Sequence, residues 1–259
     1  MSVLARVAAT TLVVLGVSLA SAASSKPASA SKPASGASTA SSDESEGQPQ
    51  LFLTWKAPPG LPRATDRLTG SCADTTRIDT LFLCVRTGRN RPGLAALSAI
   101  LLFSPDEGDT LGPFWHFKRG WENEGNLLID FDRVAIMAGS SPWEEMGFGT
   151  VSYDHRSGRG RLDLEFRLPA DAPKPLLGAE TYVFARVRIR HRRADLAGCS
   201  QPVCVELAGA QLKFVTGRQI DVTAGDRMVA LNSPDGSVCK SHKTATAVNP
   251  GLLQSCRRA

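Results

Sequence analysis

Several residue patterns that support catalysis are missing from this sequence of 259 residues. It has only four histidines, at dispersed positions, and no Gly-x-Ser-x-Gly elbow, phosphate-binding loop or His-Glu-x-x-His pair. Adjacent carboxylates such as Glu144 and Glu145 would point to opposite sides of an extended chain, which does not suit joint acid–base chemistry. We therefore predict that the protein is not an enzyme and needs no cofactor, apart from the calcium site considered below.

The sequence also lacks long stretches in which apolar residues recur at helical spacing. Beyond the N-terminal region, β-branched and aromatic residues instead alternate with polar ones at the two-residue period of a half-buried strand. The clearest case is Leu162, Leu164 and Phe166, which alternate with charged residues. A hydrophobic content of 42% is enough for a sizeable core. These features favour an all-β protein.

The N-terminal part is unlike the rest. Residues 1–22 combine Arg6, an apolar run and a small-residue end, as in a secretory signal peptide. That run is short for a membrane span, and no cysteine follows to accept a lipid. Residues 23–50 are rich in Ser, Ala, Pro and Lys, and we interpret them as a disordered linker. We expect a secreted or periplasmic protein without a membrane span in its mature form.

The folded domain is predicted to cover residues 51–236. Its central stretch, Thr181–Val215, contains two strongly patterned strands joined by a cysteine-rich turn. Further strands are expected at 51–55, 78–85, 94–103, 114–118, 127–136, 148–154, 161–168, 219–223 and 228–231. About nine strands that each carry one apolar face predict a two-sheet antiparallel sandwich. Residues 237–259 form a C-terminal tail outside it.

Six cysteines in an exported chain are most simply explained by three disulfides. The residues are Cys72, Cys84, Cys199, Cys204, Cys239 and Cys256. The sequence leaves the pairing open, but proximity favours Cys199 with Cys204, Cys72 with Cys84, and Cys239 with Cys256. The Cys239 to His242 spacing is compatible with zinc, although a disulfide explains Cys239 better.

Four segments resemble the cohesin-like sandwich, a fold shared with several carbohydrate-binding modules. They are LSAILLFSPDEG at 97–108, the hairpin VSYDHRSGRGRLDLEFRL at 151–168, PLLGAETYVFARVRIRH at 175–191 and ALNSPDG at 230–236. GPFWHFK at 112–118 and GCSQPVCVEL at 198–207 are further similar to uncharacterised secreted bacterial proteins with this sandwich. The resemblance implies the fold and a binding role. It identifies no residues of a dockerin-binding face.

The aromatic residues Trp115, Phe117, Trp121 and Trp143 are the candidate ligand-binding residues. Aromatic rings on a surface stack against the apolar faces of sugars, although the same residues also pack into cores and under loops. Two acidic clusters, Asp106, Glu107 and Asp109 in a turn and Asp130 with Asp132 on a strand, could hold calcium or could be solvated charges.

The strand residues Arg186, Arg188 and Arg190, with His191, Arg192 and Arg193, form either a grip for an acidic polymer or an ordinary solvated sheet face. The net charge of +5 is too small and dispersed to indicate nucleic acid. We predict a secreted, non-catalytic binding or adhesion module that recognises a protein or a surface polymer. The alternatives are a carbohydrate-binding accessory module that uses surface tryptophans, and a structural envelope protein.

Overall fold

The computed structural model describes residues 47–106, 108–131, 142, 148–193, 195–222, 225–233 and 239. The chain divides into two compact units, 1–40 and 41–259, and every described residue lies in the second. The predicted signal peptide, most of the predicted linker and most of the predicted tail therefore lie outside the described residues. Within the described part, no helix has the length and apolar character that a membrane crossing requires.

Among the described residues, the smaller sheet contains four strands. They are β1 (Gln50–Trp55), β3 (Ile78–Arg86), β5 (Leu127–Asp130) and β9 (Thr181–Arg190). Their order across the sheet is β1-β3-β9-β5, and each neighbouring pair is antiparallel. Strand β9 is central, so both of its edges are hydrogen-bonded.

The larger sheet contains eight strands in the part of the chain that the structure describes. They are β2 (Arg67–Leu68), β4 (Arg91–Pro105), β6 (Phe148–Arg156), β7 (Arg159–Arg167), β8 (Lys174–Leu176), β10 (Val203–Phe214), β11 (Gln219–Asp221) and β12 (Met228–Leu231). The order is β2-β12-β10-β4-β7-β6, with β11 beside β10 and β8 beside β4. All pairs are antiparallel except the short β2–β12 pair, which is parallel. Among the described strands, β6 is the last on one side.

One hydrophobic core lies between the sheets and takes residues from both. In β7, Leu162, Leu164 and Phe166 are buried at alternate positions, as the sequence pattern predicts. The largest fully buried side chains come from several strands and from the turn after β4: Trp55, Phe103, Phe114, Trp115, Phe166 and Phe184. The predicted all-β, two-sheet antiparallel sandwich is confirmed.

Residues 114–118 are not a strand, contrary to our prediction. A short 3₁₀ turn covers Pro113–Trp115. Proline lacks the backbone N–H that a strand would use, and it suits the first position of a helical turn. Gly112 also packs so tightly that an added Cβ would lie 2.7 Å from the carbonyl oxygen of Ala197. The described residues form twelve strands rather than about nine. Strands β2 and β8 were not predicted, since they are too short to give an alternating pattern.

The proximity-based disulfide pairing is wrong. Cys72 is bonded to Cys199 and Cys204 to Cys239, at sequence separations of 127 and 35 residues. Cys84 is a free, buried thiol. Cys84 packs on the outer side of the small sheet with Phe82 and Val183, away from the other cysteines. The partner predicted for Cys239, Cys256, lies outside the described residues.

Strand geometry explains the observed pairs. Cys204 lies on β10 opposite Ala230 of β12, and the chain reaches Cys239 eight residues after β12 ends at Leu231. Short sequence spacing lowers the cost of closing a loop in the unfolded chain. It does not determine which residues the sheets bring together.

Candidate binding surface

Two of the four predicted ligand-binding aromatics belong to the core. Trp115 is fully buried and Phe117 is 6% exposed. The indole Nε1 of Trp115 donates a hydrogen bond to the carbonyl oxygen of Gly198 at 2.9 Å, and its ring lies 5.9 Å from that of Phe103. The prediction that Trp115 and Phe117 stack on a ligand is wrong, because a ring packed on all sides offers no face to a sugar.

Trp121 is the described member of the predicted set that reaches solvent. Its side chain is 37% exposed and sits in the turn after the 3₁₀ segment. The imidazole of His116 lies edge-on to it, with ring centroids 4.8 Å apart, and the His155 ring is 5.9 Å away. Trp143 lies outside the described residues, so its role stays a prediction.

Charged groups surround these rings. His116 Nδ1 donates to the Glu122 carboxylate at 2.9 Å, and Lys118 Nζ donates to Asp154 at 3.2 Å. His155 Nε2 is a buried atom with no hydrogen-bond partner among the described residues. The arrangement therefore combines one exposed ring, polar groups at its rim and a nitrogen with unused hydrogen-bonding capacity.

The protonation states follow from these contacts. Hydrogen bonds from its own backbone N–H and from His116 hold the pKa of the Glu122 carboxyl below its usual value. The hydrogen bond from Lys118, and then that from Arg156, lower the pKa of Asp154. Partial burial, followed by the nearby His116 charge, lowers the pKa of His155. Both carboxylates are therefore ionised at neutral pH.

Strand β6 carries exposed apolar side chains along an edge that no described strand covers. Among the described strands it pairs with β7 alone, with Phe148 opposite Arg167 and Val151 opposite Leu164. Phe148 is 67% exposed and Val151 is 43% exposed. An edge strand presents unpaired backbone N–H and C=O groups, which an added chain can use.

The open edge and the Trp121 cluster are parts of one region, because His155 and Asp154 belong to β6. We call this region the edge surface and define it by Phe148, Val151, Asp154, His155, Trp121, His116 and Lys118. It extends over the nine residues of β6. At ~3.3 Å per residue this is roughly 30 Å, the length of an extended peptide segment.

The predicted basic face of β9 is partly neutralised by one carboxylate. The Asp130 carboxylate of β5 accepts hydrogen bonds from Arg186 at 3.1 Å and from Arg188 at 2.9 Å. Asp130 is therefore held by two guanidinium groups rather than free for calcium. Asp132 lies outside the described residues.

The second predicted calcium cluster is only partly described. Asp106 accepts a hydrogen bond from the hydroxyl of Ser233 at 3.1 Å, and Glu107 lies outside the described residues. Calcium at the turn formed by Asp106, Glu107 and Asp109 stays a prediction.

A basic cleft lies beside the end of β1. Its volume is about 610 Å³, and Lys56, Arg63 and Arg67 line it together with Ala64 and Thr65. Lys56 and Arg63 have φ angles of 67° and 77°, a region that non-glycine residues adopt at a cost. The cleft offers positive charge to an anionic group, and nothing in the sequence pattern indicated it.

A buried polar pair at one end of the small sheet was also absent from our sequence-based predictions. His191 and Asp79 are 0% and 3% exposed, and His191 Nε2 lies 2.8 Å from Asp79 Oδ2. They are 112 residues apart in the chain. The sequence placed His191 at the end of a basic face, and no local signal marks a partner at that distance.

One group of described residues has the ligand types and spacing for a metal ion. The ligand atoms of Cys72, His191 and Cys199 all lie within 4.8 Å of one another. Metal binding by cysteine requires free thiolates. In this structure Cys72 and Cys199 are joined in a disulfide, so they do not offer them.

No protein-family model and no curated protein matches this sequence. Solved structures that are similar in fold include the second type II cohesin module of a cellulosomal scaffoldin from Acetivibrio cellulolyticus. It is 12% identical with a TM-score of 0.39, and the match covers 72% of this chain and 98% of that one.

Two further solved structures are similar at about the same level. A cohesin module from a Clostridium perfringens family 33 glycoside hydrolase is 10% identical with a TM-score of 0.38, over 71% of this chain and 98% of that one. AvmM, which catalyses macrocyclization in alchivemycin A biosynthesis, is 11% identical with a TM-score of 0.34, over 74% and 92%. The likeness to these proteins is one of fold.

Proposed function

We propose that this domain is an exported binding module that recognises an extended segment of a protein partner along the edge surface. The leader pattern of residues 1–22 and the two disulfides support export to an oxidising compartment. The observation that carries the binding role is the edge of β6 that no described strand pairs with, on which Phe148 and Val151 are exposed. An incoming strand gains backbone hydrogen bonds there, and the side chains supply apolar contact.

The carboxylates in and beside the edge surface support a non-catalytic role. A general acid needs a carboxyl whose pKa is raised, usually by burial. Glu122 and Asp154 are held by cationic or donor groups that lower the pKa instead. These residues suit hydrogen bonding to a ligand better than proton transfer.

The test uses charge substitutions on the strand. Phe148→Lys and Val151→Lys place positive charge on the edge, which opposes strand addition and removes apolar contact. The control is Leu61→Lys, because Leu61 is similarly exposed, at 44%, but lies in the loop between β1 and β2. A partner captured from the native secretome by the wild-type domain should be retained by the control and lost by the edge variants. Equal retention by all three variants contradicts the proposal.

A carbohydrate is the second candidate ligand, favoured by the exposed ring of Trp121 beside His116 and Lys118. A sugar ring would stack on the indole while the polar rim binds its hydroxyl groups. Titration of the domain with a panel of polysaccharides should then change tryptophan fluorescence, and Trp121→Ala should abolish the change. No fluorescence change with any member of the panel contradicts this candidate.

A further inference from the structure

The Cys199 end of the Cys72–Cys199 disulfide contacts the buried His191, which in turn contacts the buried carboxylate of Asp79. His191 Nδ1 lies 3.4 Å from Cys199 Sγ, and the opposite ring nitrogen contacts Asp79. Arg77 holds the same carboxylate through two hydrogen bonds, of 2.7 and 2.8 Å. Cys199 is 3% exposed, whereas Cys72 is half-buried. Cys199 is thus less accessible to an external reagent than Cys72.

His191 has an incomplete set of hydrogen-bond partners. The Asp79 carboxylate only accepts hydrogen bonds, so His191 Nε2 is the donor of that contact. On a neutral ring, Nδ1 carries a lone pair that points towards Cys199. A disulfide sulfur carries no hydrogen, so this lone pair, on a side chain with 0% exposure, has no donor. A buried acceptor without a donor costs about 1–3 kcal/mol.

Reduction gives Nδ1 a better partner, whichever of the two groups carries the shared proton. A Cys199 thiol donates its hydrogen to a neutral Nδ1, and a Cys199 thiolate pairs with a protonated ring. Asp79 supports both arrangements, because it orients the ring and balances positive charge on it. The cluster is therefore better satisfied when the disulfide is open.

We propose that Cys72–Cys199 is a redox-active disulfide that exchanges with an external thiol, with Cys199 as the leaving sulfur. The thiolate of the incoming thiol bonds to Cys72 Sγ as the Cys72–Cys199 bond breaks, and the bonding pair stays on Cys199 Sγ. Cys199 takes up a proton, which lies between its sulfur and His191 Nδ1. The His191 imidazole contacts Cys199 Sγ, the sulfur that leaves. Asp79 is a positioning residue, because it holds the imidazole in place.

A second thiol completes the reaction. It attacks the mixed disulfide at the reagent sulfur, so that Cys72 leaves as a thiol and the reagent is released as its own disulfide. Two external thiols are oxidised to one disulfide, and the protein gains two electrons and two protons.

The second disulfide provides an internal reference of the opposite character. Cys204 Sγ lies 3.7 Å from a carboxylate oxygen of Asp106, and Cys239 Sγ lies 3.6 Å from the carbonyl oxygen of Val229. Both neighbours carry negative charge or partial negative charge, so they oppose a departing thiolate. The same molecule therefore contains one disulfide whose reduction is assisted by its neighbours and one whose reduction is opposed by them.

The test exposes the intact, oxidised chain to glutathione and glutathione disulfide at a series of ratios. Acid quenching, alkylation and mass spectrometry then give the reduced fraction of each pair. Cys72–Cys199 should be reduced at least about tenfold faster than Cys204–Cys239, and at a less reducing ratio. Equal rates and equal midpoints, or earlier reduction of Cys204–Cys239, overturn the proposal.

Two substitutions test whether His191 and Asp79 cause the faster reduction of Cys72–Cys199. His191→Gln should lower the reduction rate of Cys72–Cys199 and shift its midpoint to a more reducing ratio, while the Cys204–Cys239 rate stays unchanged. Asp79→Asn should change the midpoint in the same direction by a smaller factor. If either variant unfolds, the reduction rates of both disulfides rise together. The comparison of the two disulfides in the wild-type protein then tests the proposal. Unchanged Cys72–Cys199 values in a folded His191→Gln protein contradict the assignment.

Discussion

The hydroxyl of Tyr153 donates a hydrogen bond to the backbone carbonyl oxygen of Trp115 at 2.6 Å. This bond joins β6 to the turn that leads to Trp121, and the Tyr153 ring also packs 5.4 Å from that of Phe117. Partial burial raises the pKa of the Tyr153 hydroxyl, so it stays protonated and can donate over the physiological range. The two halves of the edge surface are thus fixed to each other through the core.

Tyr153→Phe should test this connection, since it removes the hydroxyl and keeps the ring. The carbonyl of Trp115 loses its donor, and we expect the free energy of unfolding to fall by about 1 kcal/mol in urea. Binding at the edge surface should weaken as well, because the turn that carries Trp121 is less constrained. Unchanged stability and unchanged binding would show that the bond does not couple the two parts.

The tryptophans Trp115 and Trp121 form a matched pair for separating packing from recognition. Trp115→Ala removes a fully buried ring and should destabilise the domain by about 3–5 kcal/mol. Trp121→Ala should cost less than about 1 kcal/mol, because that ring is partly solvated already. Thermal unfolding of both variants checks the contrast. Similar losses for the two would contradict the placement of these rings.

His155 makes the stability of the domain depend on pH. Its pKa is lowered in the folded state, so folding favours the neutral ring. The contribution is complete above the unfolded value of about 6.5 and is lost as the pH falls through the lower folded value. Urea unfolding at pH 7.5 and at pH 5 should show a decrease in wild type, and a smaller decrease in His155→Gln.

Other titratable groups near His155 also contribute to the pH dependence of stability. Glu122 and Asp154 also have lowered pKa values, but their loss of stability begins only near the ordinary carboxyl range, about pH 4. From pH 7.5 to 5 these carboxylates contribute little, and the difference between wild type and His155→Gln separates His155 from the other histidines, His116 and His191. The same pH dependence in wild type and in His155→Gln would exclude His155 as its source.

Cys84 should be inert in the native protein. Burial raises the pKa of its thiol, and the side chain has no exposure. We expect a maleimide to leave Cys84 unmodified in buffer and to modify it in guanidinium chloride, as followed by peptide mass spectrometry. The same digest without reductant should contain the linked pairs Cys72–Cys199 and Cys204–Cys239. A peptide that links Cys72 to Cys84 would restore the proximity-based pairing.

The fold could be predicted from the sequence because its strands carry local signals. The alternation in Arg161–Arg167 specifies which side chains face the core, and each added strand repeats the same rule. Short strands such as Arg67–Leu68 escaped prediction, because two residues cannot show a period.

The site was less predictable, for physical reasons that particular residues illustrate. The segment Trp115 to Trp121 contains aromatic rings of both kinds, buried and exposed, and the packing that separates them comes from Phe103 and Gly198, distant in the chain. The contact of His191 with Asp79 and the bond of Cys72 to Cys199 likewise depend on which strand ends meet. Such contacts are specified by the whole fold and not by spacing.

Amide hydrogen exchange on the domain bound to its captured partner tests the central claim most directly. Recognition along the edge surface predicts that exchange slows in peptides covering residues 148–156 and 116–122, while peptides covering the basic cleft at residues 56–67 are unchanged. Slower exchange elsewhere, with the peptides of β6 unaffected, would contradict the account.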